Sequence, residues 1–341
     1  MKYDVTIGIP VYNAETFTSR SLESVLSQTY SSIEFLIIDD GCTDASMDII
    51  RFFQAQHPLG KDIRIISHEQ NKGVSTARNR IIDEAAGEYL YFMDADDVIA
   101  DYTIDLLMRN LREFNAEIAF GSYEKIWKDG KREVYQYPYL QLMGEDQLAI
   151  FAYRKYAGIQ ASACNYLVKT SLLRKYNLRF LDVNYWEDLV FTFDLVTLVS
   201  RAVLLPNITY TYYCHDQSLS HYQQRDHISK DEILNNVRAI DHLKETSFIL
   251  YNKVYYPNRC HNIVMTDFYI ACYILKRRKD IVPAVTDDEI KTMMTHPASF
   301  RQICSFRQSR YKNMAFYLLG QIPAVFCVAV IRMVGKMKKL L

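Results

Sequence analysis

Over about its first 125 residues the chain alternates between two kinds of segment. That alternation limits the folds open to it. Apolar runs ("VTIGIP", "IEFLIID", "IRIIS", "YLYFMD" and "EIAFGSY") are separated by stretches with helical periodicity, near 16–28, 45–55, 74–86 and 100–114. A strand that is apolar throughout has to be covered on both faces. A helix between two such strands then serves as the crossover, so the pattern predicts an α/β domain with a largely parallel sheet.

The polar residues stand at one kind of place. The first run ends in Tyr12-Asn13, the second in Asp39-Asp40-Gly41 and the fourth in Asp94-Ala95-Asp96-Asp97. Asp and Asn favour turns and helix caps, and one such cluster would be read that way. Three at the C-terminal ends of strands fall on the edge where open α/β sheets form their ligand crevice.

Bulk properties exclude several classes. With 40 Lys and Arg against 40 Asp and Glu, no global charge points to a nucleic-acid partner. The seven cysteines are irregularly spaced and contain no C-x-x-C pair, which argues against a disulfide framework or a zinc site. The N-terminal "MKYDVTIGIPVYN" runs straight into a strand rather than a leader, and the cytoplasm is the expected location. The 26 tyrosines suit either a core or a sugar and nucleotide site.

Beyond residue 135 the pattern is mixed. "CNYLVKTSLLRKY" reads as a strand and a helix, "YWEDLVFTFDLVTLV" as a helix opening on Glu187-Asp188, and "RAVLLPNITYTYYCH" as two short strands. From about Ser229 the pattern is helical. Residues 314–331 are apolar apart from Gln321, with basic residues on both sides. A spanning helix needs about 20 apolar residues, and this run contains Gly320 and Pro323. The expectation is a membrane-surface segment over 314–341, attracted to anionic lipid; burial in the fold or in an oligomer is the alternative.

The chemistry concentrates at Asp94, Asp96 and Asp97. Like charges this close repel, and they are tolerable if exposed, protonated or holding a cation. Oxygen ligands on a short loop suit Mg²⁺ or Mn²⁺, which bind through one or two carboxylates together with substrate phosphates. A calcium EF-hand is a poor fit, because Val98 and Ile99 stand where an oxygen ligand and a glycine would be needed.

"VTIGIPVYNAE", "IIDDGCTD", "NKGVSTARNRIIDEAAGEYLYFMDADD" and "YWEDLVF" together resemble the family 2 glycosyltransferases of bacterial surface-polysaccharide type. The resemblance covers about the first 215 residues. It implies a GT-A fold, a Rossmann-like nucleotide-diphospho-sugar transferase domain over 1–220, with a mainly helical C-terminal region over 221–341. It further implies inverting, metal-dependent transfer of a hexose or N-acetylhexosamine from a UDP-sugar to a hydroxyl of a glycan; the tail adds the expectation of a lipid-linked glycan acceptor at the cytoplasmic face of the inner membrane. Pro10, Tyr12, Asn13 and Glu15 would line the nucleotide pocket, and Asp40 would meet the uracil N3–H. Gly73 and Arg78 would approach ribose and phosphates. Asp94-Ala95-Asp96 match the D-x-D motif: Asp94 faces ribose or donor sugar, Asp96 ligates Mn²⁺ or Mg²⁺, and Asp97 orients the loop. Asp188 matches the catalytic base, and Glu187 would orient it or meet the acceptor. Relatives often carry Tyr-Tyr-x-Arg further on, where this chain has "TYYCHDQSLSHY". His215 or His221 is therefore a candidate for the diphosphate or the metal shell, beside an ordinary structural role.

Two other readings compete. A nucleotidyltransferase also sets metal-binding aspartates on an α/β sheet, but "IPVYNAE" has no glycine-rich phosphate loop. A non-catalytic nucleotide-binding scaffold is the third, and the acids at 94, 96 and 188 weigh against it.

Overall fold

The structure is a computed structural model that describes residues 2–154, 158–183, 186–215 and 227–341. The chain divides into two compact units. The first takes Met1–Leu148, Ser162–Asp182 and Leu195–Ser218; the second takes Ala149–Ala161, Val183–Asp194 and Leu219–Leu341.

The first unit is built on alternating elements: β1 (Tyr3–Val11), α1 (Glu15–Leu26), β2 (Ile33–Asp39), α2 (Ser46–Gln56), β3 (Ile63–Ser67), α3 (Val74–Glu84) and β4 (Gly87–Phe92). The short β5 (Val98–Ile99), α4 (Thr103–Glu113) and β6 (Ile118–Trp127) follow, then β7 (Arg132–Tyr135) and β8 (Leu140–Met143). Then come β9 (Tyr166–Lys169), α6 (Thr170–Lys175) and β10 (Arg201–Cys214), while α5 (Gln147–Arg154) and α7 (Glu187–Leu198) are divided between the two units. One sheet runs β3-β2-β1-β4-β9-β6-β10-β5, with β7 added to β6 and β8 to β10. The first four strands are parallel, as their apolar composition predicts, and β9 enters antiparallel between β4 and β6. All seven residues of β2 are buried, which is why that run carries no alternation. The register sets Val11 beside Asp39 and Gly8 beside Phe92, so β1, β2 and β4 end on one edge. Asn13, Asp40 and Asp94 leave the sheet there.

One expectation is corrected. "RAVLLPNITYTYYC" is a single 14-residue strand, β10, and not two. Pro206 cannot donate to a ladder, yet pairing with β6 resumes after register shifts between Leu204 and Ile208 and between Ile208 and Tyr210. A bulge absorbs the proline instead of ending the strand.

The second unit is mostly helical: α8 (Lys230–Ser247), α9 (Tyr256–Lys276), α10 (Asp287–Met293), α11 (Phe300–Ser305), α12 (Arg310–Gln321) and α13 (Ala324–Met337), with β11 (Ile228–Ser229) paired to β12 (Ile281–Val282). Serine or threonine capping boxes start α8, α10 and α11. The apolar run of the tail is two helices. Ile322, before Pro323, is extended (ψ 157°), as a residue preceding proline prefers. Among the described residues no helix is long and apolar enough to cross a membrane.

At the centre of the second unit lies Arg259, fully buried. It donates to Asp194 Oδ1 (2.7 Å), the Phe193 carbonyl (2.8 Å), Tyr153 Oη (2.6 Å) and Ser247 Oγ (2.8 Å). Residues from all three sequence segments of the unit therefore meet on one guanidinium.

Candidate active site

The apolar run of β4 ends at Phe92, and Met93 is still fully buried. The chain then turns through Asp94-Ala95-Asp96-Asp97 and pairs again through β5, against Tyr210 and Thr211 of β10. Each carboxylate has a different partner. Arg78 Nη2 donates to Asp94 Oδ1 (2.8 Å). Asp96 Oδ2 lies 2.7 Å from His215 Nε2, and the Asp96 carbonyl accepts from Arg20 Nη2 (2.8 Å). Asp97, only 4% exposed, accepts from Tyr210 Oη (2.8 Å) and from the Tyr213 N–H (2.9 Å). Tyr210 Oη also accepts from the Asp94 N–H (3.2 Å). Strand β10 thus holds the loop from the far side of the sequence.

The electrostatics follow. Burial, then the neighbouring Asp94 carboxylate, pushes Asp96 above the ordinary carboxylate range. Asp97 is raised well above it, first by burial and then by Asp96 and Asp94. The His215 ring stacks on Phe17 (4.2 Å between centroids), and the Arg20 guanidinium sits 3.6 Å over the Tyr213 ring. His215 Nδ1 is buried with no hydrogen-bond partner among the described residues.

These residues fit an oxygen-seeking divalent cation in an open site. Among the described residues no three His, Cys, Asp or Glu side chains form a closed cage. A hard cation that keeps waters and takes phosphate oxygens needs fewer protein ligands than that. Asp96 and His215 are the pair that would hold it, since Arg78 already neutralises Asp94.

The other strand-end residues gather around β1 and β2. Asp40 is buried, and its Oδ1 accepts from the Lys72 N–H (2.9 Å) and lies 2.7 Å from His68 Nδ1. Its Oδ2 accepts from the Gly73 N–H (2.9 Å). Gly73 takes φ +87° just before α3, a conformation that favours glycine. Asn13 Oδ1 accepts from the Thr43 N–H (2.8 Å), and Glu15 Oε2 from the Ala45 N–H (2.9 Å). These two side chains join the ends of β1 and β2. Tyr12 is half exposed, and Pro10 is half-buried in β1. Arg78 is buried in α3, with its guanidinium 5.4 Å over the Phe180 ring. Glu187 and Asp188 form the first turn of α7, in the second unit; Glu187 is buried and Asp188 half-buried. His221 lies outside the described residues.

Tyr210, Tyr213, Arg20, Phe17 and His68 also meet these groups, and no sequence motif singles them out. The alternation in "TYTYYC" was the available signal for Tyr210. Nothing local to Arg20, on a surface-like helix, announces that it caps the Asp96 carbonyl.

Residues 6–176, half of the chain, match the model of Glycosyl transferase family 2. The protein belongs to that family and is a glycosyltransferase. It is similar to the uncharacterized glycosyltransferase YibD of Escherichia coli K12, at 24% identity over 290 residues, 82% of this chain and 81% of the relative. Other curated relatives match over 35–37% of this chain, which spans 16–38% of their length. Among solved structures, S. aureus TarS 1–349 in complex with UDP-GlcNAc aligns at TM-score 0.58 and 16% identity, covering 93% of this chain and 90% of that one. The mannosyltransferase PcManGT from Pyrobaculum calidifontis, in complex with GDP-Man and Mn²⁺, aligns at 0.52 and 16%, covering 97% and 87%. At such identities the likeness is one of fold, and that fold is GT-A.

Proposed function

We propose that the protein transfers a hexose or N-acetylhexosamine from a UDP-sugar to a hydroxyl of a glycan or lipid-linked glycan, with inversion, in surface-polysaccharide synthesis at the cytoplasmic face of the inner membrane. The observation that carries this reading is the Asp94–Asp97 loop: a strand-end acid cluster with one cation beside it and one carboxylate facing a histidine. Pro10, Tyr12, Asn13 and Glu15 line the nucleotide side. Asp40 Oδ2 accepts one protein hydrogen bond and keeps lone-pair capacity for the uracil N3–H. Gly73 and Arg78 serve ribose and phosphates, Arg78 as a permanent cation. Asp94 and Ala95 meet ribose or donor sugar.

Asp188 takes the proton from the acceptor hydroxyl as its oxygen attacks C1 of the donor sugar. The bond from C1 to the diphosphate oxygen breaks on the opposite face, UDP leaves with that electron pair, and the anomeric configuration inverts. Glu187 positions Asp188 or the acceptor. Asp96 and His215 would hold a divalent cation, which would supply charge compensation for the departing diphosphate. Asp97, with Tyr210 and the Tyr213 N–H, fixes the loop that presents Asp94 and Asp96.

The test is UDP release over a panel of nucleotide sugars with Mn²⁺ or Mg²⁺. Release from one UDP-sugar that disappears in Asp96→Ala and in Asp188→Ala supports the reading. Release that survives both substitutions sinks it, and preference for a GDP-sugar moves the donor assignment.

A further inference from the structure

Between α8 and α9 the chain makes a short turn, "FILYNKV", that puts large apolar side chains into water. Phe248 is 67% exposed, Ile249 80%, Tyr251 53% and Val254 65%. Leu250 alone turns inward, against a cluster of Tyr256, Cys260, Ala298, Ile303 and Phe306 that Met314 and Tyr317 of α12 also join. The start of α12 is tied to the same place. Asn313 Nδ2 donates to the Pro257 carbonyl (2.9 Å), and Ser309 Oγ to Asn258 Oδ1 (2.7 Å). Tyr311, 79% exposed, therefore stands near the turn, flanked by the exposed Arg310 and Lys312.

Charge is segregated along the C-terminal part of this unit. From Ile290 to Leu341 there are nine Lys and Arg and no Asp or Glu, in a chain whose formal net charge is zero. Among the described residues none of these nine has an ion-pair partner.

Soluble surfaces rarely leave large apolar side chains this close together without a use for them. Of the partners that would cover such a patch, a second copy brings the same positive helices and is repelled. An anionic lipid surface offers both halves of the match. It has an apolar layer for Phe248, Ile249 and Val254, an interface that suits Tyr251 and Tyr311, and negative headgroups for the exposed Arg310 and Lys312.

We propose that the 248–254 turn and the start of α12 form a lipid-docking face that inserts into anionic membranes. The insertion point thus moves from the expected membrane segment over 314–341 to a turn about 60 residues earlier in the chain. This proposal stands independently of the donor, acceptor and catalytic roles above.

The test is co-sedimentation of the full chain with phosphatidylcholine vesicles and with vesicles of equal parts phosphatidylcholine and phosphatidylglycerol. Binding to the anionic vesicles is expected to exceed binding to neutral ones by about tenfold or more, and to weaken with salt. Ile249→Asp and the pair Arg310→Glu, Lys312→Glu are each expected to lower it by about tenfold. Their circular dichroism and their UDP release with a water-soluble acceptor should match the parent. Equal binding to both vesicle types, absence of binding, or variants that bind like the parent would overturn the proposal. So would a dimer in light scattering that Ile249→Asp makes monomeric, which would give the patch to a second copy.

Discussion

Asp97 in the first unit and Asp194 in the second are both largely withdrawn from water, and they are treated in opposite ways. Burial alone would raise both. At Asp194 the His242 contact and the Arg259 guanidinium override it and hold the carboxylate below its usual range. Asp97 is met by a tyrosine hydroxyl and a backbone N–H, and it stays raised. The second unit therefore balances the Asp194 charge within its own residues. The first gathers three carboxylates at a strand end with the Arg78 guanidinium on one of them. Burying an ion without full compensation is costly, and a stretch that exists only for stability avoids it. The contrast between these two acids is what the proposed site requires of a loop completed by something that binds.

The largest expected effect is on turnover. Asp188→Asn should lower kcat by about 10²–10⁴-fold, the usual contribution of a positioned acid or base, and Asp96→Asn should fall in the same range. Neither should shift Tm by more than about 2 °C. A large loss of stability in Asp96→Asn would erase the contrast, because it would make that acid structural. Arg259→Met is next. Removing one partner of a buried ion pair typically costs about 3–5 kcal/mol, so chemical denaturation should show a sharp fall. A mild effect would mean that the second unit is not balanced as described.

UDP added with Mn²⁺ should raise Tm and EDTA should reverse the gain, with about 2.7 kcal/mol expected at a hundredfold excess over Kd. No shift would leave the acid cluster uncompensated and the comparison unexplained.

The smallest effect concerns Asp267, fully buried beside Lys244, whose Nζ lies 2.9 Å from Oδ2. Burial pushes this carboxyl up to about 7 although Lys244 pulls the other way. A raised acid binds its proton more tightly when folded. Its contribution is therefore fully present below pH 4 and is lost as pH rises through about 7. Asp267→Asn should flatten the fall in Tm between about pH 4 and pH 7. An unchanged slope would show that Lys244 keeps the carboxylate ionised throughout, as Arg259 does for Asp194.

Much of the first unit was legible in the sequence. Apolar strands and periodic helices are local patterns, and clusters such as Asp39-Asp40 mark strand ends without knowledge of the fold. The glycosyltransferase family was legible too, because its motifs sit within short windows. What stayed hidden acts across sequence. Tyr210 reaches Asp97 over 113 residues and His215 reaches Asp96 over 119. Arg259 sits in "YPNRCHNIVMTDF", where an arginine reads as a solvent-facing helix residue. Its burial is decided by partners 65 and 106 residues away. Pro206 misled in the other direction, since a proline usually closes a strand and here only bulges one.

Strand β10 has a consequence for anyone who cuts or recombines this protein. The family model ends at residue 176, before Tyr210, Tyr213 and His215. A fragment trimmed to that boundary would keep the D-x-D motif and lose the braces that shape it. The same holds during synthesis. A nascent chain released after the motif has emerged carries the acids but not the grip on them, and the loop is braced only once the strand some hundred residues later is laid into the sheet. A chimera that exchanges residues 94–99 between relatives should therefore carry 208–215 with them.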